Sequence, residues 1–345
     1  MAFRNGMKGL ALLVGVSLAG IQAATAQDTV VVASFGSLWQ EVLETALEPF
    51  EKENNVEVRF TAGSSSDNVT RAIAAKANPD VDVVMGEEMT FSQGMQAGIF
   101  EKLDPAVITN LDKVAPQSKL GDGYGVGIIM QSIGMFYNTK VYEKEGWAAP
   151  TSWQELVDRK LCHRVGYMHP NVSFGYYALM MLGGGKPDNI PAGIEKALAF
   201  KDCIETVDPS GAKHVERAQL GDFDLGVLAH QLVISLADRG APLKFVTPKE
   251  GGILQFTTLA VAKDGPNPAM AQKLVNELLS ERVQTMLVEK FKASPVNTAV
   301  PVPSELIAAG APDPKDVSSF ILIDGSVLQP SREKWTQQFV RAMAE

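Results

Sequence analysis

The chain has 345 residues, of which 46% are hydrophobic and 21% are charged, and it holds only two cysteines. Values of this kind are typical of a globular protein and exclude a disordered, collagen-like or disulfide-stapled chain. The formal net charge is −9, so the chain offers no basic surface for DNA or RNA, and its length predicts two domains.

The N-terminal segment has the features of a secretory signal peptide. It carries Arg4 and Lys8, then an apolar run that ends near Ile21, then Ala24-Thr25-Ala26. A basic start, a short apolar middle and an A-x-A site predict export with cleavage after Ala26. The alternative is a membrane anchor, which needs about 20 apolar residues, and this run is shorter. We therefore expect residues 27–345 to act outside the cytoplasm.

Export changes the interpretation of the two cysteines. Cys162 and Cys203 lie about 40 residues apart, and an oxidising compartment favours a disulfide between them. Closing a loop of this length stabilises a fold by about 4 kcal/mol in the chain-entropy model. The alternative is a pair of buried free thiols.

Short strands alternate with helices along the chain. In the first half the predicted strands are 29–33, 56–60 and 81–85, and the predicted helices are 38–54, 68–77 and one that ends near 98. In the second half the predicted strands are 133–137, 164–168, 223–229, 243–246 and 255–262, and the predicted helices are 174–182, 190–207, 267–280, 281–291 and 331–345. A further helix is expected to begin in a capping box at 151–155, and Pro49 is expected to kink or shorten the first helix. The alternation predicts a largely parallel sheet covered by helices.

Three polar loops follow the predicted strands of the first half, at 34–37, 63–66 and 86–88. Ligands of parallel α/β sheets bind beyond the carboxyl ends of the strands, so these loops are candidate binding segments. The run Gly63-Ser64-Ser65-Ser66 is the most informative, because hydroxyls and free N–H groups at a helix start favour an anion. The alternative is an ordinary helix cap and turn. The other candidates in these loops are Ser34, Ser37 and Glu87.

Several other side chains have two interpretations each. Trp39 either walls a ligand or packs in the core. Glu87 and Glu88 either pair an amine or form one solvated carboxylate and one helix cap. His169 and His230 follow predicted strands of the second half, where each can hydrogen-bond a ligand or pack in the core.

Catalytic and metal-binding motifs are missing from the sequence. The segment 63–67 lacks the second glycine of the serine-hydrolase elbow, the segment 183–186 lacks the Walker spacing, and the four histidines have no zinc-like spacing. Tyr176 and Tyr177 can bind metal as phenolates, but a buried helix face explains the pair better. A secreted hydrolase that uses Ser64, Ser65 or Ser66 stays a rival hypothesis, because catalytic triads are scattered through a sequence.

A series of short segments, in one order along the chain, resembles extracellular solute-binding proteins of family 1. These are the periplasmic components of ABC importers, and the resemblance is to the group that includes spermidine/putrescine-binding proteins. The segments that carry the resemblance are 31–37, 47–51, 79–84, 137–140 with 150–153, 241–248, and 257–262 with 267–268.

The resemblance implies an α/β type II periplasmic binding protein fold, in which two lobes joined by a two-crossing hinge close on one ligand. The crossings are expected near 125–128 and 253–256. Lobe 1 would then hold 27–125 and 256–298, and lobe 2 would hold 126–252 and 299–345. The expected ligand-binding residues are Ser34, Ser37, Trp39, Ser64, Ser65, Ser66 and Glu87 on lobe 1, with Gln131, His169, Asn171, Ser173 and His230 beyond the hinge.

The implied function is capture of a small polar solute in the periplasm and delivery to permease subunits at the inner membrane. The chain is expected to be a monomer without enzymatic activity, cofactor, metal or nucleic-acid partner. The loops of lobe 2 offer hydroxyls, imidazoles and amides but no acid, which predicts a small organic anion such as a phosphonate, a sugar phosphate or a carboxylate. A polyamine is the alternative ligand, and a sensor subunit is an alternative role.

Overall fold

A computed structural model describes residues 28–36 and 38–344 of the chain. The predicted signal peptide and the candidate Ser37 lie outside these residues. The strands of the described part are β1 (Asp28–Ser34), β2 (Val56–Ala62), β3 (Val83–Glu87), β4 (Lys119–Leu120), β5 (Gly125–Asn138), β6 (Tyr167–Met168), β7 (Val207–Asp208), β8 (Leu225–Ala229), β9 (Leu243–Val246), β10 (Gly252–Val261), β11 (Ser294–Pro295) and β12 (Phe320–Leu322).

The α-helices pack on both sides of these strands. They are α1 (Leu38–Asn54), α2 (Ser65–Ala74), α3 (Glu88–Ala97), α4 (Thr139–Glu145), α5 (Ser173–Leu182), α6 (Ile190–Ala199), α7 (Gly211–Leu220), α8 (His230–Asp238), α9 (Pro268–Leu278), α10 (Glu281–Phe291), α11 (Ser304–Ala308) and α12 (Gly325–Ala344). None of the helices within 28–36 and 38–344 combines the length and apolar character that a membrane span requires.

The strands form one ten-stranded mixed sheet and one small two-stranded sheet. The main path runs β11-β5-β10-β3-β1-β2, and β8 and β9 pair with the second half of β5. Strands β1, β2 and β3 are parallel to one another, whereas β10 is antiparallel to β3 and β5. The predicted parallel sheet is therefore mixed, because the two long strands β5 and β10 run in opposite directions through its centre.

Among the described residues, the two largest of four apolar clusters mark two lobes. The core of lobe 1 includes Met130 on β5 and Leu254 on β10, and the core of lobe 2 includes Ile133 on β5 and Ile253 on β10. Both strands therefore pass from one core to the other within a few residues of each other. This is the two-lobed arrangement with a two-strand hinge that the resemblance implies.

The C-terminal helix α12 touches both lobes. Its first residue, Gly325, lies so close to α3 that a Cβ there would be 2.7 Å from the carbonyl oxygen of Glu88. Further along α12, Leu328 and Phe339 are buried in the core of lobe 2. The helix therefore lies across the junction of the lobes.

Several boundaries differ from those expected. Helix α1 runs through Pro49 to Asn54, so the proline does not shorten it; Ala46, Leu47 and Phe50, on either side of the proline, are buried. The expected helix 190–207 ends at Ala199, before a strand at Val207–Asp208. The expected strand 164–168 is reduced to Tyr167–Met168, and the capping box at Ser152 begins only a short 3₁₀ turn. Local periodicity cannot anticipate such interruptions, because tertiary packing sets them.

Cys162 and Cys203 form the expected disulfide. Their Cα atoms are 4.5 Å apart, and Cys203 is fully buried at the edge of the core of lobe 2. The bond links the segment before β6 to the turn after α6, which is where the expected long helix is interrupted.

Candidate functional site

A cleft of about 480 Å³ lies between the two lobes. Lobe 1 contributes the start of α1, the end of β3 and the end of α10, and lobe 2 contributes the first turn of α5 and one side of α8 along its whole length. The hinge strands form its floor. The lining residues are Phe35, Leu38, Trp39, Glu87, Ile129, Gln131, Phe174, Gln231, Leu232, Ser235, Asp238, Thr257, Lys290, Phe291 and Lys292.

Aromatic rings form one wall of this cleft. The ring of Trp39 stacks on Phe291 with centroids 4.2 Å apart, and Phe35 meets Trp39 edge-on at 5.8 Å. Phe174, on the first turn of α5, lines the cleft from lobe 2. Trp39 therefore lines the cleft and also packs against the core of lobe 1, and its contact with a ligand stays a prediction.

Charged side chains of both signs surround the aromatic wall. Glu87 is half-buried at the end of β3, whereas Asp238, Lys290 and Lys292 are exposed. None of the four takes part in an ion pair with another described residue. The charge of Glu87 interacts with that of Arg332 over a longer distance, whereas Asp238, Lys290 and Lys292 carry charges without such a partner among the described residues.

Glu87 connects the two lobes. Its Oε2 accepts a hydrogen bond of 2.6 Å from the Ser173 hydroxyl, at the start of α5 in lobe 2. Burial raises the pKa of Glu87 above its usual value, and the Ser173 hydrogen bond and the positive charge of Arg332 oppose that rise. A carboxylate in this position favours a cation beside it, because an ammonium replaces the water that burial removes.

Glu88 faces a different environment, although it is the next residue. Its side chain is 8% exposed, and its Oε1 accepts a hydrogen bond from the backbone N–H of Phe256 on β10. Burial raises the pKa of Glu88 to about 8, so that at neutral pH the carboxyl is mostly protonated. Glu88 does not line the cleft.

The cleft contains part of a chain of three glutamine side chains. Gln131 on β5 donates a 2.5 Å hydrogen bond to Oε1 of Gln255 on β10, and Gln231 on α8 donates to Oε1 of Gln131. Gln131 and Gln231 line the cleft, whereas Gln255 is fully buried. The chain joins lobe 2 to both hinge strands.

His230 was expected in the cleft, but the structure buries it completely beside the hinge and outside the cleft lining. Its Nδ1 accepts from the backbone N–H of Ser132 at 3.1 Å, and its Nε2 lies 3.1 Å from the carbonyl oxygen of Lys292. Nε2 therefore carries the proton and donates to that carbonyl. Burial lowers the pKa of His230 to about 4, so the ring is neutral near pH 7.

The serine loop, Gly63–Ser66, also lies outside the cleft lining. Ser64 caps α2 in a capping box: its Oγ accepts from the N–H of Asp67 at 3.2 Å, and its own N–H donates to Oδ2 of Asp67 at 3.0 Å. Its hydroxyl also donates to the same Oδ2 over 2.6 Å. The Ser65 hydroxyl lies 2.5 Å from Thr90 Oγ1 and accepts from the N–H of Glu87, while Ser66 is exposed. This is the alternative interpretation of the loop, an ordinary cap and turn, and it is why α2 begins at Ser65 rather than at the expected residue 68.

The remaining predicted residues are not part of the cleft lining. Ser34 is fully buried, and its hydroxyl donates to the carbonyl oxygen of Phe35. His169 and Asn171 hydrogen-bond each other within their loop, and Arg332 donates to the Asn171 carbonyl oxygen. Ser173 reaches the site only through Glu87.

Sequence reasoning missed the end of α10 and most of α8. Lys292 ends α10 in a left-handed conformation with a φ of 55°, and the chain then pairs with the hinge strand β5 through β11. That turn brings Lys290, Phe291 and Lys292 to the cleft, about 250 residues away from Trp39. A left-handed helix cap at a lysine has no sequence signature. Asp238 was missed as well, because the loops of lobe 2 were expected to supply no acid.

Tyr176 and Tyr177 are buried in the core of lobe 2. Their environment is that of the buried helix face that was the preferred interpretation. Among residues 28–36 and 38–344, no group of three histidine, cysteine, aspartate or glutamate side chains is arranged to hold a metal ion.

Comparison with known proteins shows the family. The family model described as bacterial extracellular solute-binding protein matches residues 45–312. A spermidine/putrescine-binding periplasmic protein of Haemophilus influenzae is 23% identical over 306 residues, which cover 86% of this chain and 80% of the relative. A gamma-aminobutyric acid-binding protein of Pseudomonas aeruginosa is 23% identical over 344 residues, covering 95% of this chain and 94% of the relative.

Solved structures show the same fold. A periplasmic binding protein of Actinobacillus pleuropneumoniae, solved with fructose 6-phosphate, has a TM-score of 0.74 and 21% identity, and the match covers 92% of this chain and 99% of that one. The architecture is therefore the expected type II fold. The three relatives carry names with three different ligands, so similarity at this level leaves the ligand to be argued from the cleft.

Proposed function

The chain belongs to the bacterial extracellular solute-binding proteins, and from this premise we propose that its cleft binds a short-chain solute with a primary amine at one end and an acidic group at the other. The solute would then be delivered to the permease of an ABC importer. The observation that carries the proposal is the presence of unpaired charges of both signs around an aromatic wall.

The amine end is assigned from Glu87 and the aromatic rings. Glu87 is half-buried and has no ion-pair partner among the described residues. The rings of Trp39 and Phe291 stand in the same cleft, and an ammonium is attracted to the face of an aromatic ring by about 0.5–2 kcal/mol. A carboxylate together with ring faces therefore suits a cation better than a second anion.

The acidic end is assigned from Lys290 and Lys292. Both lie at the end of α10 on the cleft lining, and lysine ammonium groups bind carboxylate or phosphonate oxygens by charge-assisted hydrogen bonds. The anionic group expected from the sequence is thus retained, but at the lysines rather than at the serine loop. The exposed Asp238 across the cleft offers a further contact to a cation.

The relatives support an amine as the shared chemistry. The polyamines and gamma-aminobutyric acid in the names of two of them all carry a primary amine on a short flexible chain. A polyamine without an acid would leave the two cleft lysines unpaired and facing a cation, which disfavours it.

The proposed mechanism is closure of the lobes on the solute. The core boundaries support a lobe division close to the expected one, with the first crossing at Gln131–Ser132 instead of 125–128 and the second at Ile253–Leu254. Bending there would close the Glu87 side of the cleft on the α5 and α8 side. The closed protein would dock on a permease, while separate subunits hydrolyse ATP.

The proposal includes a non-catalytic monomer in the periplasm, released by cleavage after Ala26. A serine hydrolase is not supported, because the Ser64 hydroxyl is hydrogen-bonded to Asp67. Among the described residues, no histidine hydrogen-bonds the hydroxyl of Ser64, Ser65 or Ser66.

The test uses three probes with one four-carbon chain and different ends: 1,4-diaminobutane, 4-aminobutyrate and succinate. Protein freed of bound solute by unfolding and refolding with the disulfide intact is titrated with each in a calorimeter, and its thermal midpoint is measured at saturation. We expect 4-aminobutyrate to bind most tightly, the diamine less tightly and the diacid least tightly. Binding of succinate alone, or of none of the three, would contradict the proposed ligand class.

A further inference from the structure

The three-glutamine chain at the hinge has a direction. Gln231 Nε2 donates to Gln131 Oε1, and Gln131 Nε2 donates to Gln255 Oε1 over 2.5 Å. Gln131 and Gln255 face each other at paired positions of β5 and β10. In each hydrogen bond the donor nitrogen therefore lies on the lobe 2 side, and the acceptor oxygen lies on the side of the next glutamine toward β10.

A chain of primary amides can adopt only two directions. Each amide has one donor end and one acceptor end, so that reversing one amide breaks a hydrogen bond unless its neighbours reverse as well. The direction is therefore set collectively, and the residue at the far end constrains the one at the cleft. In the observed direction the last atoms are an oxygen on Gln231 and a nitrogen on Gln255.

The Gln255 side chain interacts with the Tyr177 hydroxyl, whereas the Gln231 oxygen is buried without a hydrogen-bond partner within the described part of the chain. A buried polar atom of this kind destabilises the fold by about 1–3 kcal/mol. Gln231 lines the cleft, and its unpaired atom is an acceptor that is buried beneath this lining, so a donor such as an ammonium that reaches it when the lobes close would satisfy it. In the reversed direction the same position would present an N–H group, which suits an acid.

We propose that Gln255 is a positioning residue that holds the cleft glutamines with their acceptor ends toward the solute, and so selects an amine over an acid at that wall. Gln255 is fully buried and does not line the cleft, so it acts only through Gln131 and Gln231. The inference rests on the proposed function, because it concerns the amine end of the same solute.

The test compares Gln255→Met with a matched control. Methionine keeps the volume and removes the acceptor, which frees the Gln131 amide to turn over. We expect the affinity for 1,4-diaminobutane to fall about tenfold while that for succinate stays within about threefold or rises. The control is Gln284→Met, since Gln284 is also fully buried, bonds only backbone groups and is not part of the cleft lining.

Two further measurements keep the test independent of the folding of one variant. Gln255→Glu retains an acceptor oxygen for Gln131 and should keep the amine preference within about threefold of wild type. NMR couplings across the hydrogen bonds of the wild-type protein should link Gln231 Nε2 to the Gln131 carbonyl, and Gln131 Nε2 to the Gln255 carbonyl. Couplings in the opposite direction would overturn the inference.

The outcomes separate the inference from the proposed function. Gln284→Met should leave the ratio of amine to acid affinity unchanged. If the probes bind but Gln255→Met also leaves this ratio unchanged, the positioning role is overturned and the proposed function stands. If the wild-type protein binds none of the probes, both are overturned. A change in the ratio of amine to acid affinity in Gln255→Met alone supports the role.

Discussion

Two successive strand-to-helix junctions of lobe 1 use polar residues in opposite ways. At the first junction, Gly63–Ser66 between β2 and α2, the polar side chains hold the local structure together. At the second, Gly86–Glu88 between β3 and α3, Glu87 turns into the cleft and Glu88 turns toward β10. The Ser65 hydroxyl connects the two, because it accepts from the N–H of Glu87.

The difference teaches that a polar strand end is not by itself a binding site. Gly63 is explained by packing, since a Cβ there would lie 2.5 Å from Oδ1 of the buried Asn68. The first junction therefore supports the second, and the second contributes Glu87 to the cleft lining. Variants at the first junction should therefore change stability, and variants of Glu87 at the second should change ligand affinity.

The largest effect is expected at Glu88, on stability. Because its pKa is about 8 in the folded protein and near 4.3 in an unfolded chain, the folded state binds the proton more tightly. The contribution of Glu88 to the free energy of unfolding is therefore fully present below about pH 4.3. It is lost as the pH rises from there through 8, by up to about 5 kcal/mol in total. Glu88→Gln should remove this loss, so that its stability relative to wild type rises with pH in urea unfolding between pH 5 and 9.

Comparing each variant with wild type cancels the opposite contribution of His230. The pKa of His230 is lowered to about 4, so its contribution to stability increases with pH between about 4 and 6.5. Glu53→Gln, at an exposed position of α1, controls for the loss of one charge. A flat difference between Glu88→Gln and wild type would contradict the buried, protonated carboxyl.

The next effect is on binding. Glu87→Gln keeps the shape and an acceptor for Ser173 but removes the charge, so the affinity for 4-aminobutyrate should fall by about 100-fold. Calorimetry on wild type, Glu87→Gln and Glu88→Gln measures it. If the two variants lose affinity equally, the division between Glu87 and Glu88 is wrong.

A smaller effect is expected at the helix cap. Ser64→Ala removes the side chain that caps α2 and should lower the free energy of unfolding by about 1 kcal/mol, without changing the affinity for any of the three probes. Urea unfolding and calorimetry on the same preparation check both parts. Ser66→Ala, at an exposed position, is the control. Weaker ligand binding by Ser64→Ala would mean that the serine loop is part of the binding site after all.

The smallest effect is expected where the junctions meet. Ser65→Ala removes the hydrogen bonds to Thr90 and to the N–H of Glu87, so Glu87 should be held less firmly. We expect a loss of affinity for 4-aminobutyrate of about threefold, the size of a weak neutral hydrogen bond. Thr90→Val removes the other hydroxyl and should give a loss of similar size; no change in either variant would mean that the junctions act independently.

The sequence by itself determined most of the local structure. Helix α1 and strand β9 begin and end where periodicity places them, because an amphipathic pattern buries one face whatever the rest of the chain does. The pairing of Cys162 with Cys203 also follows from composition and compartment, since only two cysteines are present. The order of short motifs was enough for the family and for the two-lobed fold.

Only the tertiary structure decided which polar groups share the cleft. Trp39 and Phe291 stack although about 250 residues separate them, and the left-handed turn at Lys292 that brings them together has no sequence signature. Glu87 and Glu88 are chemically identical neighbours, yet one lines the cleft and the other bonds the hinge strand β10. Local sequence patterns predict which face of a helix or strand is buried. A binding site is formed by surfaces that meet only when distant strands pair, so local patterns do not predict it.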